Sequence, residues 1–538
     1  MRLRILLLSG ATLASMALPA LADDAEIGRR LDRMQRMIER QQREIESQKK
    51  EITTLNSQLH GASPAAVEPA APPPAAVETH LVQQNQKIDA LVKTFAAQAD
   101  SQRLAVQEAP QTSVTNGRLS VASADGRFSA ALRLTGQYDM GYYMQGARAR
   151  TLSLGPDLSS GSNFRRAQIG LQGKIFGDWS YYFNMDYGSG GSTGTETPGH
   201  IQQAYLEYDG LAPFAFRIGA HPPSTGLDDS YAATDSIFLE RSSPGDAARN
   251  MAGGDGRDSV EVLYTGTDLF ASLAYTGDKV QATSAFDEQQ AVVARVAYTP
   301  FVNNDWRWVI SGAGTYVYKP ADTGSLSASA RPFTISNPPE IIVDDNSTKF
   351  VSAALANATD AWNWNLESAV TYQSVLAQAG YFKYGMDQRG VATLRGFGFD
   401  GWYAEAAWVL TGEARGWSAA NGAFTSPRPR INFSSEGGFG AWEVAARFSS
   451  LNLNDHEGVA GSALPAGGMR GGKQDIATLG LNWYPNTALK FALQLQNTQV
   501  SRIGDNIAPG SPAGTVATPN FNQNQRFNTV AFRSQIAF

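Results

Sequence analysis

The chain has 538 residues, 42% of them hydrophobic and only 17% charged, with 10 Trp, 19 Tyr and 25 Phe. Soluble globular domains carry about 25% charge, so a salt-rich surface is not what matches this chain to its surroundings. The absence of Cys excludes a disulfide scaffold, thiolate metal sites and a cysteine nucleophile, and a net charge of -6 excludes the basic balance of a nucleic-acid-binding protein.

Residues 1–22 open with Arg2 and Arg4, run through an apolar stretch from Ile5 to Leu18, and close on Ala20-Leu21-Ala22. This is the pattern of a cleaved secretory signal peptide, and the apolar run is shorter than the ~20 residues of a spanning helix. No later stretch is long and apolar enough for such a helix, so the exported chain is either soluble or a membrane barrel.

Over residues 23–60, Leu31, Ile38, Ile45, Ile52 and Leu59 alternate by fours and threes with Ile27, Met34, Gln41, Gln48 and Leu55. Apolar positions repeating with a period of 3.5 between charged flanks predict a coiled coil, and Ile at one seam position is compatible with a trimer. Residues 61–80, with Pro64, Pro69, Pro72, Pro73 and Pro74, predict an extended spacer. A second short helix and linker are expected over 81–116, carried by Leu81, Ile88, Leu91 and Phe95.

From residue 117 to 538 the period drops to two. Phe128, Ala130, Leu132, Leu134, Tyr138 and Met140 alternate with Ser129, Arg133, Thr135, Gln137 and Asp139, and the pattern returns through Leu489, Phe491, Leu493 and Leu495. Such runs predict two-faced strands. Trp179, Tyr187, Trp362, Tyr372, Trp402 and Trp408 lie at or near strand ends, where a barrel with a lipid-facing exterior places its aromatic girdles. The expected fold is all-β, a transmembrane antiparallel β-barrel of about 16 strands, wide enough for an aqueous channel. The final strand, ending at Phe538, is similar to the terminal strand of bacterial outer-membrane barrels.

No catalytic constellation appears. The five His are isolated, and no His-x-x-x-His, Gly-x-Ser-x-Gly or P-loop spacing occurs. Asp344, Asp345 and Asn346 read as a solvated loop. The expectation is a protein without enzymatic activity, cofactor or metal.

The runs Asn163-Phe-Arg-Arg-Ala-Gln-Ile-Gly, Trp402-Tyr-Ala-Glu-Ala-Ala-Trp-Val-Leu-Thr-Gly-Glu and Gly440-Ala-Trp-Glu-Val-Ala-Ala-Arg resemble the phosphate-selective porin O and P family. The resemblance implies a homotrimer of 16-stranded barrels in the outer membrane of a Gram-negative cell. It also implies a long loop folded inward, here Ala220 to Asp258, carrying Glu240, Arg241 and Arg249. The stalk would then lie in the periplasm, where a cell-wall or periplasmic partner is conceivable.

Anions leaving water need guanidinium or ammonium donors. The pore-lining, anion-binding candidates are Arg133, Arg166, Lys174, Arg217, Arg295, Arg447, Lys490 and Arg533 by strand parity, with Arg241 from the loop. Opposing them are the inward carboxylates Asp139, Asp186, Glu207, Glu261, Glu367, Glu405 and Glu443. Where the family often has Lys-Pro-Pro at the loop entrance, this chain has His221-Pro-Pro, a titratable group in place of a fixed charge. Two readings stay open: passive diffusion of small hydrophilic solutes favouring anions such as phosphate, or a general or cation-preferring porin whose stalk tethers the envelope.

Overall fold

The computed structural model describes residues 109–115, 117–146, 157–188, 199–280, 286–322, 332–344, 348–389, 396–506 and 518–538, with scattered positions between 43 and 101. The chain divides into two units, Met1–Ala99 and Asp100–Phe538. In the first, the described positions are helical and exposed. The expected signal peptide, the coiled-coil seam and the Pro-rich spacer lie outside the described residues.

The second unit is built from sixteen antiparallel wall strands. In chain order these are β1 (Ser129–Met144), β2 (Gly161–Ile175), β3 (Trp179–Asp186), β4 (His200–Leu211), β5 (Phe214–Ala220), β6 (Arg257–Thr265), β7 (Leu269–Lys279) and β8 (Gln290–Val302). The wall continues with β9 (Trp306–Lys319), β10 (Ala358–Tyr372), β11 (Val375–Gln388), β12 (Phe397–Val409), β13 (Ala441–Asp455), β14 (Met469–Tyr484), β15 (Leu489–Ser501) and β16 (Gln525–Ala537). Each pairs with its neighbour, and β16 pairs back onto β1 from Asn528↔Met144 to Ala537↔Thr135, which closes the barrel. Closure leaves no unpaired edge in the wall, the condition for a sheet to cross lipid.

Alternation sorts the side chains as a hydrocarbon exterior requires. On β1, Gln137 and Asp139 face inward at 0% and 1% exposure, while Met140 and Tyr142 face outward at 43% and 62%. Trp179, Tyr187, Tyr372, Trp402 and Trp408 are all exposed on the outside. Stacked or tilted cross-strand rings such as Trp306–Tyr372 and Trp442–Trp483 extend the aromatic belt.

One end of the barrel carries the tight connections 176–178, 212–213, 266–268, 303–305, 373–374 and 485–488, together with Phe538. Short turns mark the periplasmic end of an outer-membrane barrel. A hairpin of Gln111–Thr115 and Arg118–Ala122 adds to β1 at this end, so strand structure reaches back into the stretch read as linker.

Among the described residues, three segments fold into the lumen. From the long-loop end come residues 221–256, containing helix α1 (Ser243–Ala252), and residues around 332–344, beside the hairpin Phe333–Asn337 and Val351–Leu355. The third enters from the short-turn end. Residues 410–440 carry the hairpin Arg415–Ser418 and Ala423–Pro427, whose Phe424 and Trp417 pack on the inward Phe270, Val309 and Ala407. Gly422 at its tip has φ +53°, and a Cβ there would stand 2.9 Å from Phe270.

Candidate pore constriction

Segment 221–256 leaves the wall at Gly219, whose φ of +132° and whose approach to the Ala204 carbonyl admit no Cβ. It then crosses to the opposite strands. The Tyr384 hydroxyl donates to Pro244 O (2.6 Å), the Asn482 amide to Ile237 O (2.9 Å), and Leu239 N to Gln494 Oε1 (3.0 Å). These three donors and acceptors stand on β11, β14 and β15, so inward-facing polar side chains satisfy a loop that could otherwise not be buried. Helix α1 is capped by Ser242, whose Oγ accepts from Gly245 N at 3.2 Å, and starts at a proline-containing first turn.

Strand β2 places one more cation in this zone than alternation predicts. The β1–β2 register runs Gln137↔Arg166 and then Tyr138↔Phe164, leaving Arg165 as an extra residue in a bulge. Both adjacent arginines therefore serve the lumen. Arg165 grips Glu240 with two bonds of 2.8 and 3.0 Å, while Arg166 donates to Gln137 Oε1 at 2.7 Å.

The nine candidate cations separate into two groups. In the first, each is matched by a carboxylate. Arg533 binds Asp139 through both oxygens at 2.6 Å and reaches Glu240 at 3.1 Å. Arg447 meets Glu340 at 2.5 Å and Glu405 at 3.7 Å, with its guanidinium 4.4 Å above the Phe238 ring. Arg241 pairs with Asp229 at 3.0 Å, Arg217 with Glu207 at 2.6 Å and Glu261 at 3.3 Å, and Lys174 with Asp209 at 2.8 Å near the short-turn rim. Arg249 and Arg415 extend the pattern, against Asp255 and Glu443. Many of these carboxylates come from inserted segments.

Among the described residues, the second group has no carboxylate within ion-pair distance. Arg133 donates to Gln172 Oε1 at 2.9 Å, and Lys490 to Ser236 O at 2.6 Å. Arg295 binds Ser311 Oγ at 3.1 Å and the carbonyls of Asn421 (2.9 Å) and Gly422 (2.6 Å), holding the tip of the 415–427 hairpin. Arg166 is the fourth. It borders a cavity of about 10 Å³ shared with Tyr231, Glu240 and Arg241, room for about one water. Arg133 and Lys490 line a larger vestibule of about 390 Å³ at the short-turn end, where Arg118 and Arg428 join them and Asp235 supplies the sole side-chain carboxylate among its lining residues.

Electrostatics reinforce the pairing. Burial raises the Glu240 carboxyl, but Arg165, Arg166 and Arg533 outweigh it and hold the group well below the usual carboxylate range. Glu240 is thus a fixed negative charge at the centre of the zone. His221 behaves otherwise than its place at the loop entrance suggests. It is fully buried, neither ring nitrogen has a hydrogen-bond partner, and burial together with Arg217 pushes its pKa down. The Glu261 carboxylate, 3.6 Å from Nδ1, is beyond hydrogen-bond reach, so burial and Arg217 favour the neutral imidazole between about pH 5 and 8. Replacing His221 with Gln should therefore leave the reversal potential unchanged across that range in a bilayer recording. Because its ordinary pKa is about 6.5 in the unfolded chain, this histidine costs stability progressively as pH falls below that value, and the Gln variant should resist acid better in a thermal melt.

A closed sixteen-stranded wall with a polar, partly charged lumen defines a membrane-spanning channel protein. Residues 133–517 match the model of the family described as phosphate-selective porin O and P, and the chain belongs to that family. Porin O of Pseudomonas aeruginosa is 26% identical over 438 residues, covering 78% of this chain and 93% of that one. An uncharacterized protein of Caulobacter vibrioides is 23% identical over 442 residues, covering 80% and 78%. Among solved structures, outer-membrane-expressed OmpT of Vibrio cholerae superposes with a TM-score of 0.44 at 10% identity, covering 77% of this chain and 98% of its own.

Proposed function

We propose that this outer-membrane porin passes small hydrophilic solutes by passive diffusion, with a modest preference for anions, phosphate among them. One observation carries the reading. Most lumen cations packed against inserted segments are matched by carboxylates, whereas those bordering open space at the short-turn end, Arg133, Arg118, Arg428 and Lys490, share a single side-chain carboxylate, that of Asp235. An anion entering there finds four cations against one side-chain carboxylate, and several weak sites in series allow it to leave again. A homotrimer and a periplasmic stalk built from residues 23 to about 110 belong to the same proposal, with the stalk acting as a trimerisation device or envelope tether.

The test is the reversal potential of the purified protein in a planar bilayer under a KCl gradient, repeated with phosphate. Chloride should carry the larger share of current, and added phosphate should reduce it. Replacing Arg166 with Gln should shift the reversal potential toward the cation side. A native channel that prefers potassium and ignores phosphate would favour the second reading, in which the paired carboxylates set the selectivity.

A further inference from the structure

Residues 410–440 have two halves with different surroundings. The first, the 415–427 hairpin, is packed inside the lumen. The second, 428–440, starts at the vestibule with Arg428, returns over the short-turn rim and packs on the outer face of the wall from Phe433 onward. There, Phe433 stands edge-on to Trp483 at 5.2 Å, Trp483 stacks with Trp442 and Phe491, and the indole N–H groups of Trp442 and Trp483 both donate to the Phe439 carbonyl. This cluster is continuous with the lipid-facing aromatic belt. Around it Ile431, Phe433 and Phe439 are 69%, 54% and 75% exposed, an apolar display that water would not favour and a bilayer interface would.

Directly beside it is a cleft of about 240 Å³ lined by Glu413, Thr425, Ser426, Arg428 and Arg430. The Arg430 guanidinium spends one donor on Gly412 O at 2.8 Å. The Glu413 carboxylate is already engaged, accepting from Arg430 N at 3.1 Å and from the Thr411 hydroxyl. Of the other nearby carboxylates, Asp235 accepts from Ser426 N at 2.9 Å and Glu436 is exposed on the 434–437 turn, and neither lines the cleft. Arg430, Arg428 and the Thr425 and Ser426 side chains thus share one cleft at the rim, the last three also bordering the vestibule, beside an apolar surface at the height of the membrane interface.

From this juxtaposition we infer that the rim binds an anionic phospholipid of the periplasmic leaflet, its phosphate in the Arg428–Arg430 cleft and its acyl chains along Ile431, Phe433 and Phe439. Charge selects the head group and the aromatic cluster selects a lipid over a free anion. Native mass spectrometry of the full-length protein, released from micelles containing equal phosphatidylglycerol and phosphatidylcholine, reads this directly. The wild type should retain phosphatidylglycerol preferentially, and the double variant R428Q/R430Q should lose that preference by about tenfold or more, as expected for two arginines near an anionic surface. Phe439→Ser should weaken retention of both lipids. Equal retention of the two lipids by the wild type, an unchanged preference in a double variant that is folded by circular dichroism, or full displacement of the lipid by equimolar inorganic phosphate would each overturn the assignment.

Discussion

Replacing Arg415 with Met should destabilise the barrel by about 3–5 kcal/mol, the cost of leaving the partner of a buried pair uncompensated. Arg415 and Glu443 are 1% and 0% exposed, and the guanidinium makes bonds of 2.7 and 2.9 Å to the two carboxylate oxygens. Asn482 and Tyr484 also donate to Glu443, each at 2.9 Å, so the carboxylate is held ready for a charge that Met cannot supply. The same arginine donates to Asp235 O at 2.9 Å, and Ser426 N donates to the Asp235 carboxylate at 2.9 Å, which ties the hairpin from the periplasmic side to the loop from the outer side. The variant should therefore show two effects together, a lower thermal midpoint in detergent and a higher single-channel conductance as the hairpin loosens. The double variant Arg415→Met with Glu443→Leu should recover most of the stability, because a well-packed apolar pair can replace a buried ionic one, while the conductance stays high.

Neutralising Glu240 should have the largest effect on selectivity. Its carboxylate bridges Arg165 and Arg533, and Glu240→Gln keeps the hydrogen-bonding shape while leaving the cations in excess by one charge. Planar-bilayer recordings of the variant should show a reversal potential moved toward chloride and a half-blocking phosphate concentration about tenfold lower, equivalent to ~1.4 kcal/mol of added anion affinity. Acid should not reproduce this change in the wild type at ordinary pH. A carboxyl whose pKa is depressed by its arginines keeps its charge down to that depressed pKa, while its stabilising contribution, complete above the unfolded value of about 4.3, declines as pH falls below it. A selectivity shift near neutral pH in the wild type would place the responsible titration elsewhere.

The wall of this protein is legible in its sequence because lipid outside and water inside impose a period of two, and the parity of Arg133, Arg295, Arg447, Lys490 and Arg533 follows from it. The inward loop is legible too, expected from Ala220 to Asp258 and found at 221–256. Arg165 escapes a parity reading because a bulge flips parity without changing composition. Its signal was present nonetheless: two adjacent arginines on an alternating strand cannot both be inward, and an arginine facing lipid costs roughly 2–4 kcal/mol at mid-membrane. Which cations stay unneutralised could not be read either, since the partners Glu240, Glu340 and Asp229 arrive from segments far away in sequence. The inward hairpin at 415–427 is similarly hidden, because Trp417 and Phe424 carry no mark distinguishing a lumen core from a lipid face.

The seam between β16 and β1 has a consequence for biogenesis. Arg533 on the last strand bonds to Asp139 on the first, nearly the full barrel length apart in sequence. Until the final residues have been exported, β1 presents an open edge of unsatisfied amides and carbonyls, and long-range strand pairing of this kind is slow. Assembly is thus governed by the strand that closes the barrel. Removing even the few residues of the terminal strand should stall insertion in a state prone to aggregation, however well the other fifteen strands are encoded.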